Sequence, residues 1–197
     1  TTLSAGPGDH LQAVTLFHSG TGDPQAVQAM FTMDRGSLTW SAPSGRMVHV
    51  TNVTAVFNLK DVVVNSSAPV FLNAAADQWG TTGGNGGHVI FSADGTALRG
   101  DMLADAWSTL NLTFMNRSAY QGAVNPTGAA RTVYLTLDAN SRWEVTDDSV
   151  VTTITNADAT FANVIGNGHR VCYHEVANSS LTATWSLSGG GMIEPCP

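Results

Sequence analysis

Leu112-Thr-Phe114-Met-Asn-Arg-Ser-Ala-Tyr120 and Leu135-Thr-Leu137-Asp-Ala-Asn-Ser-Arg-Trp143 are copies of one phrase. Apolar residues alternate across one polar residue, a short polar turn follows, and another large apolar residue comes after it. Upstream the phrase recurs as Phe91-Ser-Ala93-Asp-Gly-Thr-Ala-Leu98 and Phe31-Thr-Met33-Asp-Arg-Gly-Ser-Leu38, with looser copies at Phe57-Asn-Leu59 and Thr160-Phe161. Phe91, Phe114 and Leu137 are spaced 23 residues apart. A period in the low twenties suits a coil of three short strands and their corners. The expected fold is therefore all-β, a right-handed parallel β-helix with coils of about 20–27 residues. In that arrangement Phe114 stacks on Phe91 and under Leu137, and strands of successive coils pair in parallel.

The turns fit this reading. Asp34-Arg-Gly-Ser37, Asp94-Gly-Thr96 and Asp138-Ala-Asn-Ser141 contain residues that tolerate tight or left-handed backbone. Trp79-Gly-Thr-Thr-Gly-Gly-Asn-Gly-Gly87 reads as a loop expelled from a longer coil. Helical periodicity is nearly absent, and its best candidate, Pro24 to Met30, runs as readily into a strand. The competing architecture is an antiparallel sandwich, which shares the alternation and the turn residues. Few two-residue Asn-Gly or Asp-Gly hairpins occur, Asp94-Gly95 and Asn167-Gly168 being the good cases, and this scarcity favours the coil.

At 197 residues, without a composition shift or proline-rich linker, the chain reads as a single domain over 1–197. Lys60 and seven arginines face fifteen acidic residues, and the formal charge of −7 excludes the basic surface that nucleic acid requires. Charged residues make up only 12% of the chain, so Thr, Ser, Asn and Gly carry much of the polarity, as pleated surfaces prefer. No apolar run is long enough to span a membrane as a helix. The opening Thr1-Thr2-Leu3-Ser4 reads as a processed or excised start.

Cys172 and Cys196 form an even pair without metal-type spacing, as expected of a disulfide in an oxidising compartment. Thirteen asparagines contribute five sequons, at Asn52, Asn65, Asn111, Asn116 and Asn178, which are N-glycosylation candidates in an extracellular protein. The disulfide would tie 172–197 down as a C-terminal cap and remove about 3 kcal/mol of unfolded-chain freedom. Residues 1–17, with the extended run Leu11 to Phe17, read as an edge or assembly strand.

Phe31-Thr-Met-Asp-Arg-Gly-Ser-Leu-Thr39, Val50-Thr-Asn-Val-Thr-Ala-Val56, Leu72-Asn-Ala-Ala-Ala-Asp-Gln-Trp-Gly80, Asn85-Gly-Gly-His-Val89 and Ile165-Gly-Asn-Gly-His169 together carry a resemblance. The chain from Val27 to Met192 resembles the C-terminal part of large adhesin-like β-helix proteins. These are microbial secreted or surface proteins related in architecture to autotransporter passenger domains. The resemblance implies a non-catalytic surface protein without cofactor or metal, and it supplies no catalytic set to carry over. The family's Gly-rich C-terminal sheet corresponds to Leu187-Ser-Gly-Gly-Gly-Met192. This chain departs from the pattern in starting inside the solenoid and in carrying the cysteine pair.

The densest reactive cluster is His169-Arg-Val-Cys172-Tyr-His174. Strand alternation puts Cys172 and His174 on one face and His169, Val171 and Tyr173 on the other, splitting any ligand set. Parallel β-helices also host polysaccharide lyases and hydrolases, which need clustered carboxylates with a base or calcium. The closest acidic pairs, Asp101 with Asp105 and Asp147 with Asp148, lack an obvious partner one coil away. Tryptophan faces suit sugar rings, and Trp79, beside the glycine loop, is the leading ligand-contact candidate together with Asn85, whereas Trp143 belongs in the core.

Two functions follow as expectations. The first is a secreted or cell-surface structural, adhesin-like protein that acts through its solenoid face or by end-to-end assembly with itself or the rest of a longer chain. The alternative is a carbohydrate-binding or carbohydrate-cleaving β-helix. A face of Thr and Ser supports the former; Asp residues converging with Arg or Lys in a groove support the latter.

Overall fold

A computed structural model describes residues 1–6, 11–174, 181 and 184–197. The fold is all-β, and its strands pair almost throughout in parallel. The chain visits three stacks of strands in a repeating order. Gly87–Asp94 is followed by Ala97–Arg99 and Asp101–Ala104; Thr109–Met115 by Ala119–Gln121 and a bridge at Val124; Thr132–Leu137 by Arg142–Glu144 and Ser149–Val151. Two of these stacks merge into one curled sheet because Gln28–Trp40 and Val53–Ser66 run on around the corner. Pro24–Ala26, inside the would-be helix, makes only a single 3-10 turn before the strand begins.

The repeated phrase forms the core. Its first apolar position is the column Phe31, Phe57, Phe91, Leu112, Leu135 and Ile154, each in register with the next. Its second is Met33, Leu59, Ala93, Phe114 and Leu137. Its last holds Leu98, Tyr120, Trp143 and Val164. One expected pairing is corrected. Phe91 pairs with Leu112, 21 residues on, and Phe114 pairs with Ala93, while Phe114 and Leu137 keep the expected 23. The connection from Ala104 to Thr109 is short, and the register slips by one inward position. The two rings still meet diagonally, with centroids 5.9 Å apart.

Aromatic stacking continues from Phe31 to Phe57 (4.5 Å), from Phe114 to Tyr120 (5.1 Å) and from Tyr120 to Trp143 (6.3 Å). Such contacts are worth about 0.5–1.5 kcal/mol each beyond the area they bury.

At the corners the backbone leaves the ladder, and a buried N–H without a partner would be costly. Small polar side chains supply the missing acceptors. Thr96 Oγ1 accepts from Val62 N, Ser118 Oγ from Thr96 N, Ser108 Oγ from Gly87 N, and Ser149 Oγ from Val124 N. The expected polar turns do bend the chain: Arg35 and Gly95 adopt φ of 58° and 59°. Asp138 closes its turn by accepting from Asn140 N and Ser141 N.

At the N-terminal side Thr2–Ala5 and Gln12–Phe17 lie at sheet edges. At the other side Cys172 and Cys196 form a disulfide, and Cys196 N donates to Tyr173 O. Trp185–Ser186 then runs antiparallel to Met192–Pro195, the one such pairing among the described residues. The expected glycine-rich segment supplies the turn into this last strand.

Trp143 is fully buried, and its Nε1 donates to Gly122 O at 2.9 Å. Replacing it with Ala is expected to cost about 3–5 kcal/mol, read as a lower urea midpoint. A loss under about 1 kcal/mol would mean that this column is not continuous core.

Candidate functional site

Because inward positions are taken by the core, function must reside on outward positions and loops. On the long strands of the main sheet one outward column reads Thr32, Asn58, Ser92, Thr113, Thr136 and Thr155. Asn58 Nδ2 donates to Thr32 Oγ1 at 3.3 Å, and Ser92 Oγ donates to Asn58 Oδ1 at 2.7 Å. Beside it runs a more apolar column of Met30, Val56, Ile90, Asn111 and Tyr134, of which Met30 is 66% exposed. Strand pairing spaces these groups at about 4.8 Å.

The second sheet carries a different feature. Thr15 and His49 are in register, as are Phe17 and Thr51. The loop from Asp77 to Trp79 leans over them and encloses a cleft of about 380 Å³, lined also by Gln12 and Gln78. The Phe17 and Trp79 ring centroids are 5.0 Å apart with planes tilted by 31°. Phe17 remains 45% exposed. Thr51 is buried, and its Oγ1 has no hydrogen-bond partner.

His49 is the buried anchor of this cleft. Its Nε2 lies 3.1 Å from Asp77 Oδ2, and its Nδ1 lies 3.1 Å from both Asn73 O and Asn73 Nδ2 and 3.4 Å from Arg46 Nη1. A proton on Nε2 is donated to Asp77, while Nδ1 is shared between the Asn73 carbonyl on one hand and the Asn73 amide and Arg46 donors on the other. Burial lowers the His49 pKa, and the Arg46 charge adds to that, against a smaller upward pull from Asp77. The Asp77 pKa is lowered chiefly by the Gln78 N–H that it accepts. Trp79 is half-buried, as a ligand platform with one covered side would be. Asn85 is corrected: it is buried under the loop, donating to Asp77 O and Trp79 O, and so positions the platform rather than contacting a ligand.

The acidic pairs do not assemble a catalytic groove. Asp101 accepts from Ala123 N; Asp105 accepts from Ala76 N, Trp107 N and Ser108 Oγ. Both work as corner ties. Asp147 and Asp148 do have a neighbour one turn away, contrary to expectation, because His169 stacks beside them and the three offer ligand atoms within 4.8 Å of one another. This group is largely exposed, and Asp148 Oδ1 is already engaged by Arg170 N. The separation from Asp148 to His169 matched the repeat and was the signal for that contact.

Among the sequons, Asn52 is corrected. It is fully buried with φ of 52°, and its Nδ2 donates to His18 O and Gly20 O. A glycan has no space there. Asn65 and Asn111 are exposed. Asn116 is exposed as well, with its amide donating to Asp94 Oδ1, and Asn178 lies outside the described residues.

The chain matches no known protein family, and neither the curated proteins nor the solved structures yield a match. Among the described residues no helix is long and apolar enough to cross a membrane. The disulfide fits an oxidising compartment.

Two predictions follow from the buried groups. When the chain is secreted from eukaryotic cells, glycopeptide mass spectrometry is expected to find sugar on Asn65 and Asn111 and none on Asn52; an occupied Asn52 would contradict its burial. The second concerns pH. His49 and His88 both have pKa values lowered below 6.5 by burial, so the unfolded chain takes up protons first. Stability is therefore full above 6.5 and falls as pH drops from there toward the lowered values. The thermal midpoint should decline over that window, and His49→Gln should flatten the decline; an unchanged slope would remove His49 as its source.

Proposed function

We propose that this chain is an extracellular, adhesin-like surface protein built as a right-handed parallel β-helix, which holds its partner on the hydroxyl-bearing outer face of the main sheet. The observation that carries this reading is the outward column Thr32, Asn58, Ser92, Thr113, Thr136 and Thr155. Hydroxyl and amide groups repeated at about 4.8 Å make many weak hydrogen bonds at once, and a long polymer or another surface can engage them multivalently. The repeated visiting order of the three stacks supports the coil, and right-handedness is the strong preference for parallel crossovers. Extracellular placement is supported by the disulfide and the three exposed sequons at Asn65, Asn111 and Asn116.

Covalent carbohydrate chemistry is disfavoured because Asp101 and Asp105 are spent on backbone ties. The face is favoured over end-to-end stacking on the last sheet, because Trp185–Ser186 runs antiparallel along that sheet's C-terminal edge.

Beads coated with the protein test this reading. They are expected to adhere to at least one of a set of insoluble polysaccharides and mucin-coated surfaces. The double variant Thr113→Glu, Thr136→Glu should keep its circular dichroism and lose adhesion by about tenfold or more, since it replaces neutral hydroxyls with repelling charge in mid-column. Wild-type beads that adhere to none of these surfaces, or a variant that adheres equally, would overturn it.

A further inference from the structure

We propose that the cleft of the second sheet is a binding site for a single neutral pyranose, with Phe17 and Trp79 as its platform and Asp77, Gln12 and Gln78 as its polar rim. The site is separate from the hydroxyl face and stands whether or not that face binds anything.

The apolar half comes from two rings 62 positions apart in the chain that converge at 5.0 Å. Nothing in the fold requires this convergence, since Phe17 points away from the core and is 45% exposed. A sugar ring presents C–H groups on one face and hydroxyls at its edge, and a tilted aromatic pair beside polar groups matches both.

The polar half is built in advance. The Asp77 carboxylate is held by Gln78 N–H and His49 Nε2, yet its side chain is 49% exposed and keeps lone pairs for ligand hydroxyls. The loop that carries Asp77 and Trp79 is fixed from below by Asn85. A rim immobilised before binding loses little further freedom when the ligand arrives.

Size and charge narrow the class. A cleft of about 380 Å³ lies near the small end for ligand sites and suits one ring rather than a chain of them. The Asp77 carboxylate and the net charge of −7 repel acidic sugars. Arg46, directed at His49 Nδ1, also acts on Asp77 and offsets part of this repulsion.

Saturation-transfer NMR with the methyl glycosides of glucose, galactose and mannose tests the site, with glucuronate and choline as charged controls. At least one neutral glycoside is expected to bind at about millimolar strength and the controls more weakly. Phe17→Ala and Trp79→Ala should each weaken that binding by about tenfold. Thr113→Glu with Thr136→Glu should leave it unchanged, so failure here is distinct from failure of the adhesion face. Phe17 is on an exposed edge strand, so its variant decides the matter even if loss of Trp79 unsettles the loop. The proposal falls if no neutral glycoside binds, if binding survives Phe17→Ala, or if choline or glucuronate binds best.

Discussion

The parallel strands of this chain depend on their neighbours for their backbone hydrogen bonds. In a parallel stack no strand closes on the next one in sequence, so each N–H and C=O finds its partner in a strand one turn away. A parallel strand cannot be stable alone, and the residues it presents inward must fit those of the strands on either side. The aromatic column from Phe31 through Phe57 and Phe91, and the one from Tyr120 to Trp143, meet that requirement. The buried Ser and Thr side chains at the corners meet the other half, taking up backbone donors where the ladder breaks.

This division of labour explains where function can sit. Inward positions are constrained by stacking and corners by hydrogen bonding, which leaves outward strand positions and the loops. The turn between Phe57 and Phe91 is the longest in the paired column, and its surplus length forms the loop that carries Asp77 and Trp79. Once folded over the second sheet, that loop closes on His49 through Asp77 and gives the cleft a fixed rim. The hydroxyl column has the opposite character, since it follows from strand alternation and needs no loop.

The repeated phrase was legible because the core demands large apolar residues at fixed offsets from a polar turn, and a period survives in sequence when each turn meets the same demand. The register of Phe91 was not legible. A connection shortened by two residues shifts the whole pairing while leaving both alternations intact, and only the partner strand distinguishes the two registers. Asn52 shows a different limit. A sequon describes three residues, whereas its burial comes from His18 and Gly20, more than thirty positions earlier. Phe17 carries no local mark of its contact for the same reason, because its partner Trp79 is 62 positions away in the chain.

β-rich composition, alternation and a period of about two dozen residues require stacked strands, because local spacing sets which side chains share a face. Which rings, carboxylates and amides meet is a property of the folded chain. Those meetings depend on how far each turn's loop reaches before the chain rejoins the stack. Contacts between residues distant in the chain are set by the packed whole, in which a change of one or two residues in a connection moves every outward group relative to its neighbours.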